Sequence, residues 1–483
     1  MKLLNRRQIL RGLMLSGAAA GLNSLDLLAQ DSKPGQLRRS GPAQRIIVVG
    51  AGMAGLTVAM ELSHAGHEVI VLEARTRAGG RVRTLREPFA EGLYAEAGAA
   101  RIPATHQLTL RYVEAFGLKL APFQPTEFPS TVHVRGKNYR SDFPGLLKIL
   151  NCSPQEQALG PVQSLRKYTS STQQIIGSPD SPAWPPKGAL VFDDLSGSAL
   201  LRQLGASEGL INFMDLGFGV LGELSGLDLL LQLGSLFETK YRIVGGNDKL
   251  PRAMAAELGE RIHYGRPVEA VTQSGKGVRV RCGGIGGGTT VEGDRVVMAL
   301  PLPVMKRIQF GPDISPDKRF AITNSQYAAV SRVFVQVRKK FWEAEKLSGF
   351  AVTDHPIEIF DASFGQYSSR GLLLAYLHEG LARRIDSVDK RKGITEVITM
   401  MTDVFPELTN EIQGHAAFSW QKEPTAEGAV ALWRPGAFRE IYPLLASAEG
   451  RIHFAGEHCS PWHSWIQGAI HSGIRAALEI NQA

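Results

Sequence analysis

The chain has 483 residues, 43% hydrophobic and 21% charged, an ordinary balance for a folded protein and too much chain for one core, so about two or three domains are expected. The net charge of +8 does not mark a nucleic-acid binder: residues 1–45 hold eight Lys/Arg against two Asp, and so carry +6 of it. Three widely spaced cysteines (Cys152, Cys282, Cys459) exclude a disulfide framework, and neither they nor the twelve histidines show metal-ligand spacing, so no metal is expected.

The basic leader contains Asn5-Arg6-Arg7-Gln8-Ile9-Leu10-Arg11, then an Ala/Gly-rich segment, Gly12 to Gly21, too short and weakly apolar to span a membrane. It resembles a twin-arginine export signal. That resemblance implies the twin-arginine translocase as a partner, a signal over residues 1–30 cleaved after Ala29, and a periplasmic or secreted location in a bacterium. Residues 31–44 read as a polar linker.

Next comes the most informative stretch, Arg45 to Arg75. Ile46 to Val49 are apolar and mostly β-branched, which predicts a strand buried on both faces. Gly50, Gly52 and Gly55 follow in GxGxxG spacing, then a helical pattern from Met53 to Ala65, a stop at Gly66, and a second strand from His67 to Leu72 closed by Glu73. Gly50 permits the turn, Gly52 lets backbone approach a pyrophosphate, and Gly55 lets helix and strand pack closely. The helix N-terminus offers N–H groups to phosphate, and Glu73 is placed to accept ribose hydroxyls. Strand, glycines, helix, strand and acid together predict a dinucleotide site. Arg75, Gly79, Gly80 and Arg81 continue it, with Arg81 expected on phosphate.

Further along, a helix is predicted from His106 to Phe116, and residues 141–238 read as a helical insertion without a histidine. A strand, glycine turn and helix are expected over Tyr241 to Leu258. Strands are expected at Pro267 to Thr272, Gly277 to Cys282, Arg295 to Leu300, Ser331 to Arg338 and Gly371 to Tyr376. The glycines from Gly283 to Gly288 read as a hairpin connection. A helix is expected near Lys390 to Val404, a strand at Arg451 to Glu457, and a last helix from Gly468 to Asn481.

The landmarks GAGMAGL (Gly50 to Leu56), GGR (Gly79 to Arg81), GAARIP (Gly98 to Pro103), GGNDKLP (Gly245 to Pro251), Pro267-Val268, KKFW (Lys339 to Trp342), FAGE (Phe454 to Glu457) and WIQGAIHSG (Trp465 to Gly473) occur in the order found in flavin amine oxidases. The chain resembles that family from about residue 44 onward, and its motifs are closest to L-amino acid oxidases. The resemblance implies an α/β (α+β) fold, in which a Rossmann-like FAD-binding domain (45–110, 239–310, 446–483) is interleaved with a mixed-sheet substrate domain (111–140, 311–445) and the insertion. It places Gly98, Ala99, Val268, Trp420, Gly456, Glu457 and Ile466 around FAD, beside the glycines, Glu73, Arg75 and Arg81. Ala429 stands where monoamine oxidases carry the cysteine that links to flavin, so FAD should be non-covalent.

The resemblance also assigns the substrate end. Arg101 matches the arginine that holds a substrate carboxylate, a task suited to a planar guanidinium. Trp465, Ser464 and Val430 should face the substrate, with Phe360 or Asp361 nearby. Arg332 stands where the family keeps a lysine that holds a water at flavin N5, and no lysine lies between Lys318 and Lys339. The implied reaction is oxidative deamination of an L-amino acid by hydride transfer to N5, giving a 2-oxo acid and ammonia, with oxygen (as hydrogen peroxide) or another acceptor taking the electrons. Three other readings stay open: an amine or polyamine substrate, oxidative decarboxylation like that of tryptophan 2-monooxygenases, and a non-catalytic flavoprotein. Oligomeric state is open, a homodimer included.

Overall fold

A computed structural model describes residues 34–483 except 182, 237, 285–287 and 312–313. The export-signal reading therefore falls outside the described residues. Of the expected linker, the described part is laced onto the first domain: Gly35 N–H donates to Glu61 Oε1 at 2.9 Å, and Asn481 Nδ2 donates to the Arg38 carbonyl at 2.8 Å.

Three helices matter most below: α1 (Met53–His64), α2 (Gly226–Leu236) in the insertion and α3 (Ile466–Asn481) at the C-terminus. Five strands, β1 (Arg45–Val49), β2 (Glu68–Glu73), β3 (Ile262–Tyr264), β4 (Arg295–Met298) and β5 (Ile452–Phe454), form a parallel sheet in the order β3-β2-β1-β4-β5. Ile46 to Val49 are almost fully buried, as a central parallel strand covered on both faces requires. The first and last segments of the chain thus share one sheet, and α3 packs on α1 so closely that a Cβ on Gly473 would stand 2.8 Å from the Ala54 carbonyl.

A seven-stranded sheet completes the other half. Its order is Ile412–Ser419, Val330–Val337, Gly371–His378, Ile357–Asp361, Ala351–Thr353, Thr131–Val134, Lys137–Arg140. One face rests on the helices Glu379–Ser387 and Lys390–Val404 through Val333, Val335, Leu373, Ala375 and Val397. The opposite face is turned toward the junction of the domains.

Expected elements recur with boundaries shifted by a residue or two, and two differences are larger. The glycines after Cys282 lead into a strand that the sequence reading omitted, Thr289–Gly293, antiparallel to Gly277–Cys282. The expected strand Arg451 to Glu457 ends at Phe454, and Glu457–Cys459 forms a 3₁₀ turn instead.

Gly55 is fixed by close approach, since a Cβ there would lie 1.9 Å from the Gly50 carbonyl oxygen. Gly55→Ala is expected to destabilise by about 2–3 kcal/mol, because the clash is with backbone that has no rotamer to yield. Denaturant unfolding of the flavin-loaded chain checks this; an unchanged midpoint would show that α1 can move.

Candidate active site

A cavity of about 990 Å³ runs along the junction of the two sheets, from Glu73, Arg75 and Val268 at one end to Arg101, Arg332 and Trp465 at the other. That is the upper end of the roughly 300–1,000 Å³ typical of ligand sites. Every cofactor-binding and substrate-binding residue expected from the sequence lines it except Gly55 and Asp361. Gly55 serves packing, as its expected role requires.

The nucleotide half is built by β1, β2 and α1. Glu73 ends β2, buried, where one oxygen accepts from Ala51 N–H at 2.7 Å and the other from Arg75 N–H at 2.9 Å. Each oxygen retains acceptor capacity for a hydroxyl. Gly50 adopts φ +102° and abuts the Ala299 carbonyl, whereas a Cβ on Gly52 would meet nothing within 4 Å. Nothing in the protein itself demands a glycine at 52; an object in the cavity would. The N-terminus of α1 has no side-chain cap. Glycine-lined space, uncapped N–H groups and a ribose-type acid together fit a dinucleotide.

Arg81, expected on phosphate, is already engaged. Its Nη1 donates to Glu457 Oε1 at 2.7 Å and to the Ala429 carbonyl at 2.9 Å. Burial would raise the Glu457 pKa, but Arg81, His458 and the Ser464 N–H outweigh it and hold the carboxyl down at about 2. Arg75 pairs with Glu423 at 3.0 Å, and Trp420 donates to the Ala97 carbonyl at 2.7 Å.

At the far end, register across four strands creates a row. Arg332 stands opposite both Phe418 and Tyr376, and Tyr376 stands opposite Glu358. All four face the junction. Arg332 is buried with its guanidinium over the Tyr376 ring at 4.6 Å, and its Nη1 donates to the Glu96 and Gly98 carbonyls at 2.5 Å each. Its Nε has no partner among the described residues, and burial lowers its pKa, opposed by Tyr376. No carboxylate among the described residues forms an ion pair with it. The nearby Glu96 carboxyl is pushed up to about 7, chiefly by burial.

Arg101 is paired. Its Nη2 donates to Glu358 Oε1 at 2.6 Å, and its guanidinium lies 5.2 Å over both Phe123 and Phe360. The acid beside Arg101 is therefore Glu358, and the Asp361 assignment is corrected. Side chains alternate along Ile357–Asp361, so Glu358 and Phe360 share the cavity face while Asp361 points away and accepts from Ser363 N–H at 2.8 Å. Lys240, beside Arg101 in the small sheet that pairs Lys240–Ile243 with Ile102–Pro103, also lines the cavity; burial and then Arg101 lower its pKa to about 8.

The remaining wall combines Ala429 and Val430 with Ser464 and Trp465. Ser464 adopts φ +69° and its N–H donates to Glu457 Oε2 at 2.9 Å. Trp465 donates to Gln232 Oε1 at 3.0 Å and stacks edge-on against His106. Gln232 and its neighbour Asp228, from α2, were missed by the sequence reading, which sought only a base in the insertion.

A cavity of this lining, ending in arginines and tryptophans, fits a flavin dinucleotide, and similarity to known proteins gives the class. Residues 53–481 match the flavin-containing amine oxidoreductases, and the chain belongs to that family; it is an oxidoreductase acting on CH–NH2 groups. Among relatives, the Bacillus subtilis (strain 168) protein YobN, named as a candidate L-amino-acid oxidase, is 31% identical over 467 residues, 91% of this chain and 95% of that one. The L-amino-acid oxidase of Gloydius blomhoffii is 30% identical over 92% of this chain and 91% of its own. Putrescine oxidase bound to putrescine shares the fold, with TM-score 0.77 and 22% identity over 92% of this chain and 100% of that chain.

Arg81→Met would strand the buried Glu457 charge. The expected loss is about 3–5 kcal/mol at pH 7. Because the Glu457 pKa is depressed when folded, the pair's contribution is full above the ordinary carboxylate range and fades as pH falls toward about 2. The gap between wild type and variant in urea unfolding should therefore shrink below about pH 4.5; a pH-independent gap would contradict this.

Proposed function

We propose that the protein is an FAD-dependent L-amino acid oxidase. The observation that carries this is the charge at the reacting end: Arg101, Arg332 and Lys240 gather around Glu358, while Asp228, which also lines the cavity, is taken by His463. Glu379 also lines that end but is taken by Ala329 N–H and Arg383. Such a site attracts a carboxylate and repels a second ammonium.

Gly52, Gly79, Gly80, Gly456 and the start of α1 would hold the pyrophosphate, Glu73 the ribose, and Trp420, Trp465 and Ile466 the ring system. Bound there, FAD supplies the hydride acceptor. None of the three cysteines lines the cavity, which supports non-covalent binding. Arg101 binds the α-carboxylate by two parallel hydrogen bonds, displacing or sharing Glu358, and so orients the α-carbon. The neighbouring cations disfavour an ammonium, so the substrate amine is held neutral and its lone pair is available. Trp420 and Trp465 exclude water. The amino acid gives up two electrons and two protons, and water hydrolyses the imino acid to a 2-oxo acid and ammonia. Oxygen accepts the electrons as hydrogen peroxide, or another acceptor takes them.

A second reading, an amine substrate, is favoured by one observation: Glu358 already neutralises Arg101 and could instead receive a distal ammonium. Export by the twin-arginine route, with the folded flavoprotein delivered to the periplasm or medium, is part of the proposal and rests on Asn5 to Arg11.

Mixing the flavin-loaded chain anaerobically with L-amino acids and with their decarboxylated amines tests the reading by loss of the oxidised-flavin absorbance. Amino acids are expected to bleach it and amines not. Arg101→Ala should weaken transition-state binding by about 2–5 kcal/mol, whereas Glu358→Gln should leave or improve amino acid turnover. Bleaching by amines, abolished by Glu358→Gln and indifferent to Arg101→Ala, would establish the second reading instead.

A further inference from the structure

The insertion touches the reacting end through one helix face. Asp228 and Gln232 lie four residues apart on α2, hence one above the other. Asp228 Oδ1 meets His463 Nε2 at 2.8 Å, with both side chains almost wholly buried, and Gln232 Oε1 accepts from Trp465 Nε1 at 3.0 Å. Between the gripped residues sits Ser464, in a left-handed conformation rare outside glycine. All five line the cavity.

His463 is held on every side. Asp228 faces it from α2. Glu457 faces it from the turn after β5, with Arg81 behind that carboxylate. The Ala431 carbonyl accepts from its ring, and Trp433 and Phe438 pack edge-on. Burial opposes its charge, but Asp228 and then Glu457 outweigh burial and raise its pKa.

We propose that Asp228 and Gln232 are positioning residues for the oxidation: by clamping His463 and Trp465 they fix the Ser464–Trp465 backbone and indole as the wall against which the substrate amine is presented. The inference rests on the reading that this wall faces the substrate, and it assigns the insertion a part in the chemistry, without an imidazole of its own. A clamp at both flanks of a strained residue is the arrangement needed to keep that residue from relaxing. The two grips differ in kind, one an ion pair and one a neutral hydrogen bond, and they meet in Gln232, whose Nε2 lies 3.3 Å from His463 Nε2 and donates to Asp228 Oδ1 at 3.4 Å.

The test uses the flavin-loaded full chain and whichever substrate the wild type turns over, so a preference for amines would overturn the Arg101 reading without touching this one. Gln232→Leu is expected to lower kcat about tenfold or more, with KM changed less than about threefold, since a wall displaced by an ångström misorients a bound substrate. Gln232→Glu, which keeps an acceptor for the indole, should restore kcat to within about threefold. Asp228→Asn should move the alkaline limb of the kcat/KM profile to lower pH, because His463 then loses its proton sooner; Gln232→Leu, which removes only a neutral neighbour and keeps the Asp228 carboxylate, should move that limb less. Equal losses for Gln232→Leu and Gln232→Glu, or an unmoved limb in Asp228→Asn, would overturn the proposal. Should Gln232→Leu fail to retain flavin, the Asp228→Asn profile decides alone.

Discussion

One buried carboxylate holds the site together. Glu457 accepts from Arg81, in the loop after the first βαβ unit, from the Ala431 N–H at 3.2 Å in the returning substrate-domain segment, and from the Ser464 N–H in the last loop. These three stretches are remote in sequence and belong to different layers. A carboxylate in that place without its partners would be neutral or the region would open; with them it stays charged far below the ordinary range. The left-handed Ser464 persists on the same terms, since strain of this kind survives only where the surroundings over-determine it. Ion pair, strained turn and cavity wall are consequences of one another.

The opposite wall depends on strand register. Phe418, Arg332, Tyr376 and Glu358 form a row because four antiparallel neighbours align them, and side chains in a strand alternate between faces. The other face of those strands is Val333, Ala375 and Ile359, buried against helices. A slip of one residue in the strand carrying Arg332, Tyr376 or Glu358 would send a charged or polar side chain into that apolar layer, so the register that protects the core also assembles the charges. Catalytic geometry here is a by-product of a strongly specified hydrophobic pattern.

What was legible in the sequence follows from range. The nucleotide half was readable because its constraints are local: Gly50 needs a positive φ, Gly55 needs to touch the residue five before it, and Glu73 ends the strand that the same apolar run defines. Arg101, Arg332, Val430, Ser464 and Trp465, named from the family resemblance, line one cavity. Glu358 was missed although a signal existed, because period-two alternation puts 358 and 360 on one face and excludes 361. Asp228 and Gln232 show helical spacing, but their partners His463 and Trp465 lie more than two hundred residues away, and no local rule links them. The Arg81–Glu457 pair was out of reach for the same reason, since 376 positions separate its members.

The electrostatic asymmetry of the site gives its chemistry a direction. Arg332 is a buried cation whose charge is spread over two carbonyls and an aromatic face and which forms no ion pair with an acid among the described residues. Holding it so is unfavourable, and a carboxylate arriving nearby would relieve that. The same field acts on the substrate's nitrogen in the opposite sense, destabilising its protonated form. On the function we propose, an amino acid entering this end would be bound more tightly through one of its ends and activated at the other by a single fixed arrangement of charge. Dipoles and charges set before the substrate arrives need no reorganisation during the reaction, and that is where electrostatic sites gain most of their effect. A diamine would meet the unfavourable half of this field, with Glu358 as its nearest compensation, since Asp228 and Glu379 are already engaged by His463 and Arg383.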